Sequence, residues 1–312
     1  MSSYDVLVVG GSGVDTIVPV AELQIPRGDC LPVQPIRDYV AHTGNGAALG
    51  FHALGLSTRF IDYLGDDPAG RLIRARYAQV GLDFHTLPAP FGTPRSVNLV
   101  DQQGRRFSFY DGRHPAGLRL PPEFYRPHVA QARHVHVSWS VFNQDIFDDL
   151  IRTGVTISTD LHAWDGADPA GHPYAFHSDF VFMSAATVGE AAPETLLHIL
   201  REGRAAVAVA TDGANGCYAV TRADPVVRHF PAVTPERPVV DSNGAGDGFA
   251  TAFLFSWFNG APLADCVLAG SVSGAFACGS PGTHEELITG SQLAAAVARA
   301  QWNGADLPAV SG

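Results

Sequence analysis

From His134 to Thr211 the chain alternates short apolar runs with longer amphipathic ones. The reading is strand His134–Ser138, helix near Gln144–Arg152, strands Val155–Asp160 and Phe180–Met183, helix Glu194–Glu202 and strand Ala206–Thr211. Apolar runs this short, interleaved with helices, are strands buried on both faces, joined by crossovers to parallel neighbours. The chain is thereby confined to an α/β architecture, a central and mostly parallel sheet with helices on both faces. Ligands of such sheets gather at the carboxyl ends of the strands, where Asp160, Ser184, Thr211 and Asp241 are expected.

Flanking segments extend this plan. Asp5–Val9 is an apolar strand ending in Gly10-Gly11-Ser12-Gly13, which lacks the third glycine of a dinucleotide-binding turn. Val18–Gln24 and Val33–Val40, around a Pro26–Asp29 turn, and Arg95–Val100 with Arg105–Tyr110 read as hairpins outside the main sheet. Between them lie helix Ala47–Leu54, strand Arg59–Tyr63 and helix Arg71–Val80, and later come strands Gly216–Val220 and Val226–Phe230. A Gly/Ala/Ser-rich helix runs through Cys278, and a last one starts at Ser291 behind the capping-box spacing of Thr289 and Gln292. The domain is expected over 1–302, with 303–312 a flexible tail.

Chemistry concentrates in Val239–Phe249, read as an apolar strand end, a polar turn, the small residues Gly244-Ala245-Gly246 and then Asp247. Phe249, Phe253 and Trp257 recur every four residues, the spacing of a buried helix. A helix start without side chains leaves backbone N–H groups bare, a seat for an anion such as phosphate. A carboxylate one turn from that seat is costly unless it has work, such as taking a proton from a hydroxyl that attacks phosphorus. The alternative is a tight turn into a core helix.

Composition excludes several classes. A formal charge of −11 argues against nucleic-acid partners. The chain contains no lysine, which rules out a Walker-type loop, lysine Schiff bases and a lysine-dependent kinase site. No apolar run approaches a membrane span, the start reads as a first strand rather than a signal peptide, and a cytoplasmic setting is the expectation. Cys30, Cys217, Cys266 and Cys278 form no Cys-x-x-Cys pair and suggest neither disulfide framework nor zinc site.

With these pieces in place the chain resembles the ribokinase-like (PfkB) carbohydrate kinase family over nearly its whole length. Asp241-Ser-Asn-Gly-Ala-Gly-Asp247 is similar to that family's carboxy-terminal Asp-Thr-x-Gly-Ala-Gly-Asp signature. His42–Asn45, with Leu54-Gly55 and Gly65-Asp66-Asp67-Pro68-Ala69-Gly70, resembles its amino-terminal motif, and Thr211–Gly216 its Thr-x-Gly-x-x-Gly nucleotide loop. The resemblance implies a ribokinase-like fold whose small β lid, near residues 16–41 and 95–110, closes over a sugar-type alcohol. It implies ATP-dependent phosphoryl transfer with Asp247 as base and the amides of Gly244, Ala245 and Gly246 as anion hole. Asp15, Gly44 and Asn45 would bind substrate hydroxyls. Thr211, Gly213, Gly216 and Asn243 would line the ATP site, Mg²⁺ would bridge phosphates, and a monovalent cation, K⁺, would sit near Asp241. Two alternatives stay open: a nucleoside kinase whose lid aromatics Phe107, Phe109 and Tyr110 stack a base, and a catalytically impaired ligand-binding member.

The second alternative is motivated by a departure. The family's Asn-x-x-Glu, expected after Phe180–Met183, corresponds to Ser184-Ala185-Ala186-Thr187, and Glu190 is wrongly spaced to replace it. The amino-terminal motif also has Thr43 where glycine is usual. His134-x-His136 places two imidazoles on one strand face, which reads as satisfied structural histidines more readily than as a metal pair. His162, Trp164 and Asp165 follow a strand's carboxyl end and either edge the site or pack a loop. Arg105-Arg106 reads as a solvated turn. Exposed lid edges suggest a homodimer.

Overall fold

In the computed structural model, which describes residues 4–24, 28–102 and 106–300, the chain runs β1 (Tyr4–Val9), β2 (Gly13–Pro19), β3 (Arg37–Ala41), α1 (Thr43–Ala53), β4 (Thr58–Leu64), α2 (Pro68–Val80), β5 (Asp83–Pro88), β6 (Arg95–Val100) and β7 (Arg106–Asp111). It continues α3 (Pro122–Val129), β8 (Ala132–Val137), α4 (Phe147–Thr153), β9 (Thr156–Asp160), α5 (His172–His177), β10 (Phe180–Ser184), α6 (Ala192–Glu202), β11 (Val207–Thr211), β12 (Cys217–Thr221) and β13 (Arg228–Phe230). The last elements are α7 (Ala245–Phe258), α8 (Leu263–Ala277) and α9 (Gly290–Arg299).

One sheet has the order β13-β12-β11-β10-β9-β8-β1-β4-β5, parallel from β11 to β5 and antiparallel at β12 and β13. Alternate residues face opposite layers: Leu7 and Val9 of β1 pack with the α4–α6 side, Val6 and Val8 with α1, α2, α7 and α8. The chain winds from β1 outward through β4 and β5, then restarts at β8 and winds the other way. That reversal between β1 and β8 opens a crevice at the carboxyl ends. A second sheet, β3-β2-β6-β7, is mixed, with β2 and β6 parallel and both outer pairs antiparallel.

Several expected boundaries move. The first lid strand spans 13–19 rather than 18–24, because Gly13 passes directly from the Gly10-Gly11 turn into pairing with Ala41. Helix α1 begins at Thr43 and α2 at Pro68, where the Asp67 side chain accepts from Gly70 N at 2.8 Å and Gly81 closes the helix at φ 75°. Val239–Asp241 is not a strand: Val239 and Val240 are 63% and 53% exposed, and the segment is held by single bonds from Val240 N and Asp241 N to Cys278 O. Strand β5 and helices α3 and α5 carry no clear periodicity and go unread in the sequence. The Thr289 capping box is present in full. Residues 303–312 and Arg105 lie outside the described residues.

Helix α7 forms as its spacing demands. Phe249, Phe253 and Trp257 stack in register at 6.2 Å and press on Phe182 and Phe180 of the sheet. Glycines bring the neighbouring helices close: a Cβ on Gly50 of α1 would meet Thr251 Oγ1 at 2.7 Å, and one on Gly270 of α8 the Phe249 ring at 3.0 Å. This packing seats the start of α7 over the sheet edge.

Candidate active site

The start of α7 is built as a bare amide cradle. Gly244 takes the left-handed conformation, φ 77°, and no side chain caps the helix. Ala245 N leans on Ser242 O at 3.3 Å, whereas Gly244 N and Gly246 N have no acceptor among the described residues. The nearest atom to a Cβ added at Gly246 would be Asp160 Oδ2 at 3.8 Å, so space above the cradle is open.

Asp247 lies at the inner wall of this cradle, its side chain 12% exposed. His284 Nε2 bonds its Oδ2 at 2.8 Å, and no hydrogen bond reaches Oδ1 among the described residues. Burial pushes the Asp247 carboxyl above the ordinary carboxylate range, with Asp160 adding to the push and His284 opposing it. A base with raised affinity for protons suits deprotonation of an alcohol.

Asp15 occupies the middle of β2 and faces the crevice, rather than capping a turn after β1. Its Oδ2 accepts from Asn98 Nδ2 at 2.9 Å, and His42 Nε2 stands 3.4 Å from Oδ1. Burial would raise its pKa, but hydrogen bonds from His42, Ser96 and Asn98 win and lower it. Tyr110 shares this face by pairing with Ser96, and its ring lies 5.6 Å from that of His42. Phe107 and Phe109 pair with Leu99 and Val97 and point to the opposite face, 56% and 55% exposed, which removes them as stackers over the site.

Gly44 and Asn45 serve the scaffold. A Cβ on Gly44 would meet Gly10 O at 1.9 Å, so α1 can enter the crevice only where the β1 turn passes a bare backbone. Asn45 is fully buried and does not line the crevice; its amide is engaged by Tyr77, Val40 and His284.

Thr211 ends β11 beside Ser184 of β10, and Gly213 and Gly216 shape the following turn at φ 53° and 98°. A Cβ on Gly216 would strike Phe230 O at 2.0 Å. Asp160, under the cradle, and Thr211 are two strands apart, about 10 Å across the sheet, and offset by two residues in register. Asn243 is 3% exposed, and its N donates to Asp241 Oδ1 at 2.9 Å. Asp241 Oδ2 accepts from Gly282 N at 3.4 Å, tying the 241–243 turn to the 278–284 loop. Ser184 Oγ accepts from Ala186 N, and Thr187 Oγ1 donates to Ala163 O, so neither supplies a carboxylate where Asn-x-x-Glu would.

The residue that spacing missed is His284. Its partners lie 37 and 239 positions away, and nothing local marks it beyond its place after the Pro281-Gly282 turn. The other histidines divide. His134 and His136 are buried against Ser158 Oγ at 2.7 and 2.9 Å, and burial lowers them to about 3 and about 4. His162 stands at the site edge, within 3.5 Å of Thr43 Oγ1 and stacked on Trp139, while Trp164 is core.

Bare amides beside a carboxylate, at the switch point of a doubly wound sheet under a β lid, are the arrangement expected of a phosphotransferase acting on an alcohol. The chain belongs to the PfkB family of carbohydrate kinases, whose profile matches residues 32–289. It is 47% identical to the acarbose 7(IV)-phosphotransferase of Actinoplanes sp. SE50/110 over 285 residues, 91% of this chain and 95% of that protein. It is 27% identical to the fructoselysine 6-kinase of Escherichia coli over 252 residues, 79% and 93%. Among solved structures, the microbiome-derived acarbose kinase Mak1 superposes with TM-score 0.88 at 41% identity, over 95% of this chain and 99% of that one. The ribokinase of Thermotoga maritima shares the fold, with TM-score 0.77 at 16% identity over 95% and 100%. The fold is ribokinase-like, and the protein is an ATP-dependent kinase that phosphorylates a sugar hydroxyl. No helix among the described residues is long and apolar enough to cross a membrane.

Proposed function

We propose that the chain phosphorylates acarbose or a similarly hydroxyl-rich carbohydrate, with Asp247 as general base. The observation that carries the substrate class is a pair of buried polar atoms without hydrogen-bond partners among the described residues: Asn98 Oδ1 on the lid face and Ser138 Oγ just past the end of β8. An unpaired buried polar atom costs about 1–3 kcal/mol, and sugar hydroxyls, which both donate and accept, would relieve it. In the transfer, Asp247 Oδ1 takes the alcohol proton as the oxygen bonds the γ-phosphorus and the bond to the β–γ bridging oxygen breaks, releasing ADP. The Gly244–Gly246 amides meet the charge on the γ-phosphoryl, which no lysine can do here. Thr211, Gly213 and Gly216 receive the nucleotide, with Asn243 supporting the turn between.

A magnesium ion bound with the nucleotide would neutralise phosphate charge. The Asp160 carboxylate, whose Oδ2 borders the cradle, suits that hard cation. The Asp241 carboxylate is 8% exposed and has no basic partner among the described residues, which suits a potassium ion nearby; an unchanged melting temperature on replacing K⁺ by a large organic cation would count against it. The apolar outer lid face of Val97, Phe107 and Phe109 suits a homodimer, which Phe109→Asp would convert to monomer in sedimentation. Free thiols at all four cysteines agree with a cytoplasmic setting.

The test is ADP release across a panel of acarbose, free hexoses, pentoses and nucleosides. Asp247→Asn is expected to fold normally and lose about 10²–10⁴-fold in turnover. Retained turnover would remove Asp247 from the mechanism, and nucleosides alone as substrates would remove the carbohydrate.

A further inference from the structure

His284 makes the only hydrogen bond to the Asp247 carboxylate among the described residues, and its surroundings determine which of its nitrogens carries the proton. The Val40 carbonyl of β3 can only accept, so the Asn45 atom 3.2 Å from it must be the amide nitrogen. That same nitrogen lies 2.9 Å from His284 Nδ1, which must therefore accept. Tyr77 OH, 2.9 Å from Asn45 Oδ1, donates there and agrees with this orientation. With Nδ1 accepting, the proton of a neutral imidazole is on Nε2, where it donates to Asp247 Oδ2 at 2.8 Å. The His284 side chain is 1% exposed and Asn45 fully buried, so water does not compete with these bonds.

The packing is equally specific. A Cβ on Gly46 would lie 2.4 Å from His284 Nε2 and 2.6 Å from Asp247 Cγ, and one on Gly244 2.6 Å from His284 Cδ2. Two glycines, one on α1 and one in the amide cradle, make the slot for the ring. His284 itself is held at φ 117°, a conformation that persists only where the surroundings over-determine it.

We propose that His284 is a positioning residue for phosphoryl transfer: as a neutral Nε2–H imidazole it fixes one oxygen of Asp247 and turns the other toward the acceptor hydroxyl, with Asn45 setting its tautomer. This rests on the reading of Asp247 as base. The donated hydrogen bond favours the ionised carboxylate against the cost of its burial. Because the Nδ1 lone pair is committed to Asn45, the imidazole takes no proton during the reaction; the alcohol proton stays on Asp247 Oδ1. The other titratable groups around the pair are Asp160 on β9, His162 in the loop after it, Tyr77 on α2 behind Asn45, and Asp15 on β2, which Thr283 reaches from the same loop as His284.

The test compares His284→Gly, which relieves the backbone, with His284→Gln, which keeps an N–H donor. The glycine variant is expected to lose about 10–100-fold in kcat with KM values little changed. The acidic limb of its kcat/KM profile should move to higher pH, and glutamine should recover most of the loss. Nitrogen NMR of the full-length protein under the assay conditions should show the ring proton on Nε2 with Nδ1 accepting, converted toward the other tautomer or the imidazolium in Asn45→Asp. An unchanged kcat and acidic limb in His284→Gly, equal losses in both variants, or a native Nδ1–H or doubly protonated ring would overturn the assignment. Should the wild type phosphorylate no carbohydrate, the functional reading fails by itself, and the tautomer still decides the role of His284.

Discussion

Gly46→Ala sets two opposing effects against each other on one helix. Alanine favours an α-helix over glycine by up to about 1 kcal/mol. The added methyl, however, would lie 2.4 Å from His284 Nε2 and 2.6 Å from Asp247 Cγ. Ordinary contact begins near 3.4 Å, so the pair must retreat by about 1 Å or α1 must lift from α7. Overpacking of this kind costs about 1–3 kcal/mol. The net loss of stability is then about 0–2 kcal/mol, and the variant should fold, melting only a few degrees below the parent. Catalysis is less forgiving, because a misplacement of about 1 Å costs on the order of 10²-fold in rate. Coupled ADP-release kinetics should therefore show kcat down about 100-fold beside a nearly normal melting curve. Gly50→Ala, one turn on, would press on Thr251 Oγ1 at 2.7 Å, which bonds the Asp247 carbonyl but neither its carboxylate nor His284, and should lose stability with a much smaller loss of kcat. A Gly46→Ala enzyme with kcat within about threefold of the parent would refute the close packing of Asp247 and His284 against α1.

Asp15→Asn keeps the shape of the lid contact but drops the charge that His42 and Asn98 hold low; the carbohydrate KM should rise about tenfold or more while the ATP KM stays, and a KM unchanged for both would remove Asp15 from the acceptor site. The buried histidines predict acid lability. Their folded pKa values, about 3 for His134 and about 4 for His136, lie below the unfolded value of about 6.5. Stability from keeping them neutral is thus whole above about pH 6.5 and falls as pH drops toward those values, by about 1.4 kcal/mol per pH unit for each histidine. Thermal melts from pH 7 to 5 should show a falling melting temperature, with the slope reduced in His136→Gln; a flat profile would contradict the burial argument.

The sequence by itself determined the sheet, the stacked face of α7 and the cradle, because each is written in local periodicity or in a run of small residues that acts through its own backbone. Phe249, Phe253 and Trp257 need only helical spacing to share a face, and Gly244-Ala245-Gly246 needs only to lack side chains. Even the lid could be located from two hairpin patterns, although the entry of β2 at Gly13 depends on pairing with a strand more than twenty residues later. Val239-Val240 misled, since exposed valines next to a site look like a strand end when only hydropathy is available.

What only the tertiary structure decided is what each polar side chain touches. Asn45 sits in the expected motif, yet its amide is consumed by Val40, Tyr77 and His284. Phe107 and Phe109 differ from Tyr110 only by register, and register placed them on the far face of the lid. His284 meets Asp247 because a loop after α8 folds back over the start of α7. Periodicity reports on neighbours within a turn or a strand pair, whereas a hydrogen bond across 37 or 239 residues exists only after the helices and sheet have packed and fixed the distances.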